Sequence, residues 1–250
     1  MMSPIQNYLK ISRSGLKLFL ECPRCFWLDN KHKIKRPPSF PYTLSSAVDF
    51  LVKKEFDQYR AQGVLPPAFA KLGLDAKLFS DPKLSTWREN FVGIQYFDES
   101  LNAMLYGAVD DILEFSDGSL AVIDYKSTGS REPHIYDDYQ KQMDTYTHLL
   151  DMNGYKTIGK AYFHFFIVDK TPDRFDYKLN FNEEIKDITV DPTWVADVFE
   201  RAVKTARQTK SPVSAIDCKH CNYVDAAIEH GGHVIHAVEQ DKDFVLIPEE

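Results

Sequence analysis

Gly107-Ala108-Val109-Asp110, followed after a turn by Asp124-Tyr125-Lys126, sets two carboxylates and a lysine on segments that read as neighbouring strands. Residues 119–127 alternate, so Val122, Asp124 and Lys126 share one face while Ile123 and Tyr125 share the other. The run 103–115 also reads as a strand, and Ser116-Asp117-Gly118 carries the Asp-Gly pair favoured in tight hairpins. Two acids on adjacent strands repel each other unless a cation lies between them, and hard oxygen ligands suit Mg2+ or Mn2+. A lysine on the same face can hold an attacking water or the charge that develops on a phosphate.

The elements that must position these residues follow in order. A helical stretch begins near Ser14 and is interrupted at Pro23, and a second helix is predicted over about 43–62. A segment with one short helix leads to about residue 90. Strands are then predicted near 91–97, 103–115 and 119–127, a helix over about 137–153, strands at 159–169 and 174–181, and a last helix over about 192–209. At about 100° per residue, Leu44, Val48, Leu51, Val52 and Tyr59 make an apolar stripe on the 43–62 helix, with Glu55 near its centre. An acid on an inward face needs a cation, so Glu55 is a candidate metal ligand. On the 137–153 helix, Tyr139, Gln142, Tyr146 and Leu149 share a face.

The cysteines form a second constellation. All four lie in two C-x-x-C pairs, Cys22/Cys25 and Cys218/Cys221. Paired thiolates at this spacing can grip one soft metal; redox disulfides and buried free thiols are the alternatives. His230, His233 and His236 could form a metal tract, but read as a loosely packed tail. Trp27, Trp87 and Trp194 read as core, and Asp111, on the face opposite Asp110, as a paired structural acid.

Composition bounds the rest. An apolar content of 44% supports a sizeable core. A net charge of −7 does not advertise a nucleic-acid binder, although local patches matter more than the sum. The basic run Lys31-His32-Lys33-Ile34-Lys35-Arg36 is either a solvated loop or a phosphate-backbone contact. The first fifteen residues lack the apolar core and cleavage site of a signal peptide, and the apolar run 162–168 is too short to span a bilayer, so a cytoplasmic protein without membrane contact is expected.

The ordered set G-x-x-D (Gly107 to Asp110), D-x-K (Asp124 to Lys126) and Q-x-x-x-Y (Gln142 to Tyr146) resembles the motifs of RecB-like nucleases of the PD-(D/E)XK superfamily, over roughly residues 10–225. The resemblance implies an α/β, restriction-endonuclease-like core of helix-strand-strand-strand-helix-strand, with a mixed sheet flanked by helices. It implies Asp110, Asp124 and the Tyr125 carbonyl as Mg2+ or Mn2+ ligands, Lys126 as the catalytic lysine, and Gln142 and Tyr146 as residues facing the site. Its helix motif, G-x-x-H, registers on Ser46 to Asp49, which makes Asp49 a rival to Glu55. It is also similar to CRISPR adaptation nucleases and AddB-type subunits, whose four cysteines hold a [4Fe–4S] cluster that joins the chain ends. The two-plus-two split here departs from their one-plus-three, and zinc is the alternative.

The expectation is thus one nuclease domain over 1–225, with its core at about 43–209, cysteine segments at about 14–40 and 210–225, and a tail over 226–250. It would hydrolyse DNA phosphodiesters as an exonuclease, on single-stranded or end-bearing duplex DNA, in repair, recombination or defence. The rival readings are a catalytically silent nucleic-acid-binding module and a zinc-ribbon interaction module.

Overall fold

The structure is a computed structural model that describes residues 8–38 and 43–231. Its elements are β1 (Leu9–Ser12), α1 (Arg13–Glu21), α2 (Pro23–His32), α3 (Thr43–Gln62), α4 (Pro67–Ala70), β2 (Ala76–Leu78) and α5 (Lys83–Trp87). There follow β3 (Ile94–Asp98), β4 (Ala103–Gly107), β5 (Asp111–Phe115), β6 (Leu120–Thr128), α6 (Asp137–Met152), β7 (Lys160–Val168) and β8 (Phe181–Thr189). A 3₁₀ turn at Pro192–Trp194 leads into α7 (Val195–Arg207), and α8 (Lys219–Gly231) comes last. Among the described residues, no helix is long and apolar enough to cross a membrane.

Two mixed sheets replace the single one expected. The larger runs β2-β5-β6-β7-β8, with β6 and β7 parallel and the other pairs antiparallel; the smaller runs β1-β4-β3. The alternation along β6 sends alternate residues into two cores. Leu120 and Val122 join Met143 and Leu149 of α6, Phe163 of β7 and Phe199 of α7. Ala121, Ile123 and Tyr125 join Val52 and Phe56 of α3 and Phe69 of α4. Covered on both faces, β6 is a rigid platform for Asp124 and Lys126.

The run 103–115 is two strands rather than one. Its first half belongs to the small sheet and its second to the large one. Between them Val109 gives its N–H to the Trp87 carbonyl at 3.1 Å and buries its side chain, so the chain leaves one sheet before joining the other. The hairpin at Ser116-Asp117-Gly118 forms as expected, with Gly118 at φ +77° and Phe115 N–H bonded to the Ser119 carbonyl at 2.9 Å.

The strand expected at 174–181 is mostly loop. Asp176 and Tyr177 take left-handed backbone (φ 44° and 58°), which turns the chain, and the strand follows at β8. β8 is an edge strand with exposed Glu183, Glu184 and Asp187, so its apolar alternation is faint. The boundary placed at residue 225 falls inside α8, which continues to Gly231; His230 is exposed on it, and His233 and His236 lie outside the described residues. Trp27 and Trp87 are buried and Trp194 is partly buried against the core.

Candidate active site

β5 meets β6 with Asp111 opposite Ile123, so the ladder ends one residue short of Asp110. Beyond its end Asp110 uses its carboxylate where a strand carbonyl would stand: Oδ2 accepts the Tyr125 N–H at 2.9 Å. Asp110 is thereby fixed beside β6, next to the face that carries Asp124 and Lys126. Its backbone carbonyl is held by Arg88 Nε at 2.8 Å. Asp111 points the other way into full burial, where Arg60, Arg88 (2.7 Å) and the Tyr125 hydroxyl (2.9 Å) surround it. A buried carboxylate with this many donors is structural, and it anchors the chain on either side of Asp110.

Asp124 is almost fully buried. Gln142 of α6 donates to Oδ1 at 2.5 Å, and the Gln142 amide also donates to the Tyr146 hydroxyl at 3.3 Å. The other oxygen, Oδ2, stands in an ion pair with the Lys126 ammonium. The Lys126 ammonium lies 4.8 Å from the Tyr139 ring centroid. Gln142, Tyr139 and Tyr146 therefore converge on the site from one helix face.

Gly107 admits this face of α6. A Cβ there would fall 2.7 Å from Tyr146 Cε1 and 3.3 Å from Arg13 Cβ. Arg13 favours, by its charge, the ionised forms of Tyr146 and Asp124. It sits at the first turn of α1, set by Ser12, which accepts the Gly15 N–H at 2.9 Å. The sequence carries no local sign that Arg13 reaches this site.

α3 supplies Asp49 and Lys53. Lys53 Nζ lies 2.7 Å from Asp110 Oδ1 and 2.8 Å from Asp49 Oδ2, so it bridges helix and strand carboxylates. Glu55 is exposed on another side of α3, beside Leu51, Gln58 and Gln62. The stripe expected to be buried is rotated: Val52 and Phe56 are the buried residues, while Leu44 and Leu51 are 58% and 61% exposed. The apolar residues of α3 extend too far round the helix for periodicity to fix its inner face. The i, i+4 pair Asp49/Lys53 was legible in the sequence, but its aim was not.

The electrostatics are those of crowded acids. Burial raises the Asp124 carboxyl to about 6; Lys126 opposes that shift and Asp110 adds to it. Burial, then Asp110, raises Asp49, against the pull of Lys53. Burial works against the charge of Lys126, yet Asp124 more than offsets it and the ammonium is held above its usual range. Asp110 disfavours the charge of both Asp124 and Asp49, and such a group of carboxylates fits a divalent cation that prefers oxygen ligands.

The cysteine pairs meet elsewhere in the fold. Cys22 separates α1 from α2 and Cys25 lies in α2, while Cys218 and Cys221 open α8. All four are buried and none is in a disulfide, and their sulfurs lie within 4.8 Å of one another. The basic run is partly drawn into this region: Arg36 pairs with Glu21 at 2.5 Å, and Lys31 bonds to the Gln208 carbonyl. His32, Lys33 and Lys35 are exposed.

An α/β platform that gathers carboxylates and a lysine at the end of a strand pair is a site that a divalent cation would suit. The profile of the PD-(D/E)XK nuclease superfamily matches residues 47–226, and the chain belongs to that superfamily of metal-dependent, phosphodiester-hydrolysing nucleases. The fold can also be laid on the crystal structure of SSO0001, with a TM-score of 0.42 and 13% identity over 90% of this chain and 87% of that one. No curated protein matches the sequence.

Proposed function

We propose that this chain is a RecB-like deoxyribonuclease that uses Mg2+ or Mn2+ to cut DNA from its ends. What carries the reading is the convergence of Asp110, Asp124 and Lys126, from two motifs, with Asp49 from a third. Asp110, Asp124 and Asp49 would hold the cation, with the Tyr125 carbonyl beside them. The cation would supply a water of lowered pKa and a counter-charge for the scissile phosphate. The chain's own groups do the rest. Lys126, fixed by Asp124 and the Tyr139 ring, orients the attacking water or meets the negative charge that builds on phosphorus-bound oxygens. Gln142 holds Asp124 in one orientation, and Arg13 and Tyr146 shape the wall through which phosphate approaches. Lys53 balances Asp49 and Asp110 in the free protein, and a cation bound there would release its ammonium for the DNA backbone.

Buried cysteines that form no disulfide suit a reducing compartment such as the cytoplasm, where a nuclease of this kind would serve repair, recombination or defence. The test is incubation with end-labelled single-stranded and duplex DNA plus Mn2+, with and without EDTA. EDTA-sensitive loss of linear substrates, with covalently closed circles left intact, is expected. Cutting of circles would overturn the exonuclease reading, and no cleavage of any DNA would overturn the nuclease reading itself.

A further inference from the structure

The cysteine centre has a size, and that size discriminates between metals. Cys25 Sγ lies 3.6 Å from Cys218 Sγ and 3.5 Å from Cys221 Sγ, and Cys22 Sγ lies 3.8 Å from Cys221 Sγ. No two of the four sulfurs are more than 4.8 Å apart. In a [4Fe–4S] cubane each thiolate binds a different iron at a separate corner, which pushes the ligand sulfurs outward to separations on the order of 6 Å. Four thiolates that meet at a single tetrahedral zinc, each about 2.3 Å from it, lie about 3.8 Å from one another. The sulfur separations match those around a single ion and fall short of those around a cubane.

We propose that Cys22, Cys25, Cys218 and Cys221 bind one zinc ion jointly, in place of the iron–sulfur cluster that the family resemblance implies. The surroundings agree with this. Four thiolates around a dication carry a net charge of about −2, which needs nearby donors. Arg36 Nη2 donates to Cys218 Sγ at 3.7 Å, and the Ala215 N–H donates to Cys22 Sγ at 3.5 Å. Every corner of the tetrahedron is a cysteine, so no open position remains for a water, and the centre is structural rather than catalytic. Cys22 and Cys221 are separated by 199 positions, so the ion closes a very long loop and ties the α1–α2 junction to α8.

The experiment is metal and acid-labile sulfide analysis of protein purified anaerobically from cells supplied with both iron and zinc. One zinc per chain, without labile sulfide or brown colour, is expected. Titration of the wild-type thiols with a mercurial should release that zinc as all four react, and Co2+ exchanged into the site should show the intense visible bands of tetrahedral thiolate cobalt. Iron with labile sulfide as the stoichiometric metal would overturn the proposal, as would one sulfide-free iron, or a chain that retains neither zinc nor cobalt. Asp124→Asn should keep the zinc, whereas Cys22→Ser and Cys218→Ser should each lose it; full zinc in either cysteine variant would refute a joint site. None of these readouts depends on DNA cleavage, so the zinc centre and the nuclease reading stand or fall separately.

Discussion

Gly107 and Tyr146 are in such close approach that the glycine hydrogen occupies the only space a side chain would have. A Cβ on Gly107 would lie 2.7 Å from Tyr146 Cε1, and Tyr146 is too buried to swing aside. The first and third motifs are therefore in contact through this pair, with Gln142 and Asp124 one step beyond. Gly107→Ala should push α6 outward, lower stability by about 1–3 kcal/mol as overpacking does, and lower DNA cleavage further than stability alone explains. Chemical denaturation and cleavage rates measured on the same preparation check this. Tyr146→Leu in the Gly107→Ala background should recover part of the lost stability.

Asp124→Asn and Lys126→Ala should each reduce cleavage by roughly 10²–10³-fold or more while the chain stays folded, because both groups act where charge develops. Asn keeps the hydrogen bond with Gln142 but removes the charge. Mn2+ should raise the melting temperature of the wild type, and this shift should vanish in Asp124→Asn. Wild-type activity in either variant, or an undiminished Mn2+ shift in the first, would remove Asp124 from the cation site.

Asp49 and Glu55 separate cleanly on α3. Asp49→Asn should weaken Mn2+ dependence, whereas Glu55→Gln should leave both cleavage and the metal-induced thermal shift unchanged, since Glu55 is exposed away from Asp110. Lys53→Gln removes the ammonium that sits between Asp49 and Asp110, so the metal-free chain should lose stability and its Mn2+ affinity should rise. An unchanged affinity measured by calorimetry would mean that Lys53 and the cation do not compete.

The two-faced β6 strand, the Asp-Gly hairpin and the α6 face with Gln142 and Tyr146 were all legible in the sequence, because each follows from a period of two or of 3.6. Glu55 shows where periodicity stops: α3 has apolar residues on too many sides, and which of them are buried depends on α4 and β6, elements far along the chain. The break at Ala108 was hidden because a buried Val109 looks the same in a strand and in a crossover. Arg13 and Lys53 were missed for a related reason: spacing offers Lys53 only its i, i+4 neighbour Asp49, and nothing local shows that either cation reaches a carboxylate or hydroxyl on another element.

Burial of His148 against Tyr96 pushes its imidazole below the ordinary value, and Asp151 only partly offsets this. The folded chain therefore keeps His148 neutral at a pH where the unfolded chain takes up a proton. Stability is unaffected by this group well above about pH 6.5 and declines as the pH falls through that value, with a slope of at most about 1.4 kcal/mol per pH unit. His148→Gln should flatten the melting-temperature profile between about pH 7.5 and pH 5.5 without altering the Mn2+ shift at neutral pH. An equally steep profile in the variant would assign the acid sensitivity to other groups.

Asp111 carries the last prediction. It is fully buried, and its carboxylate is shared by Arg60, Arg88 and the Tyr125 hydroxyl, while Arg88 also grips the Asp110 carbonyl. Asp111→Ala leaves two guanidinium groups facing a void, and removing one partner from a buried ion cluster typically costs about 3–5 kcal/mol. The loss should therefore be one of folding first. Asp111→Asn is the more telling change, because it keeps the shape but removes the charge and turns one acceptor oxygen into an NH2 donor. It should lower the denaturation midpoint while leaving a folded population whose cleavage is slowed by misplacement of Asp110, so kcat should fall with little change in KM. A folded Asp111→Asn variant with wild-type kcat would show that Tyr125 and Lys53 hold Asp110 in place without help from the buried acid beside it.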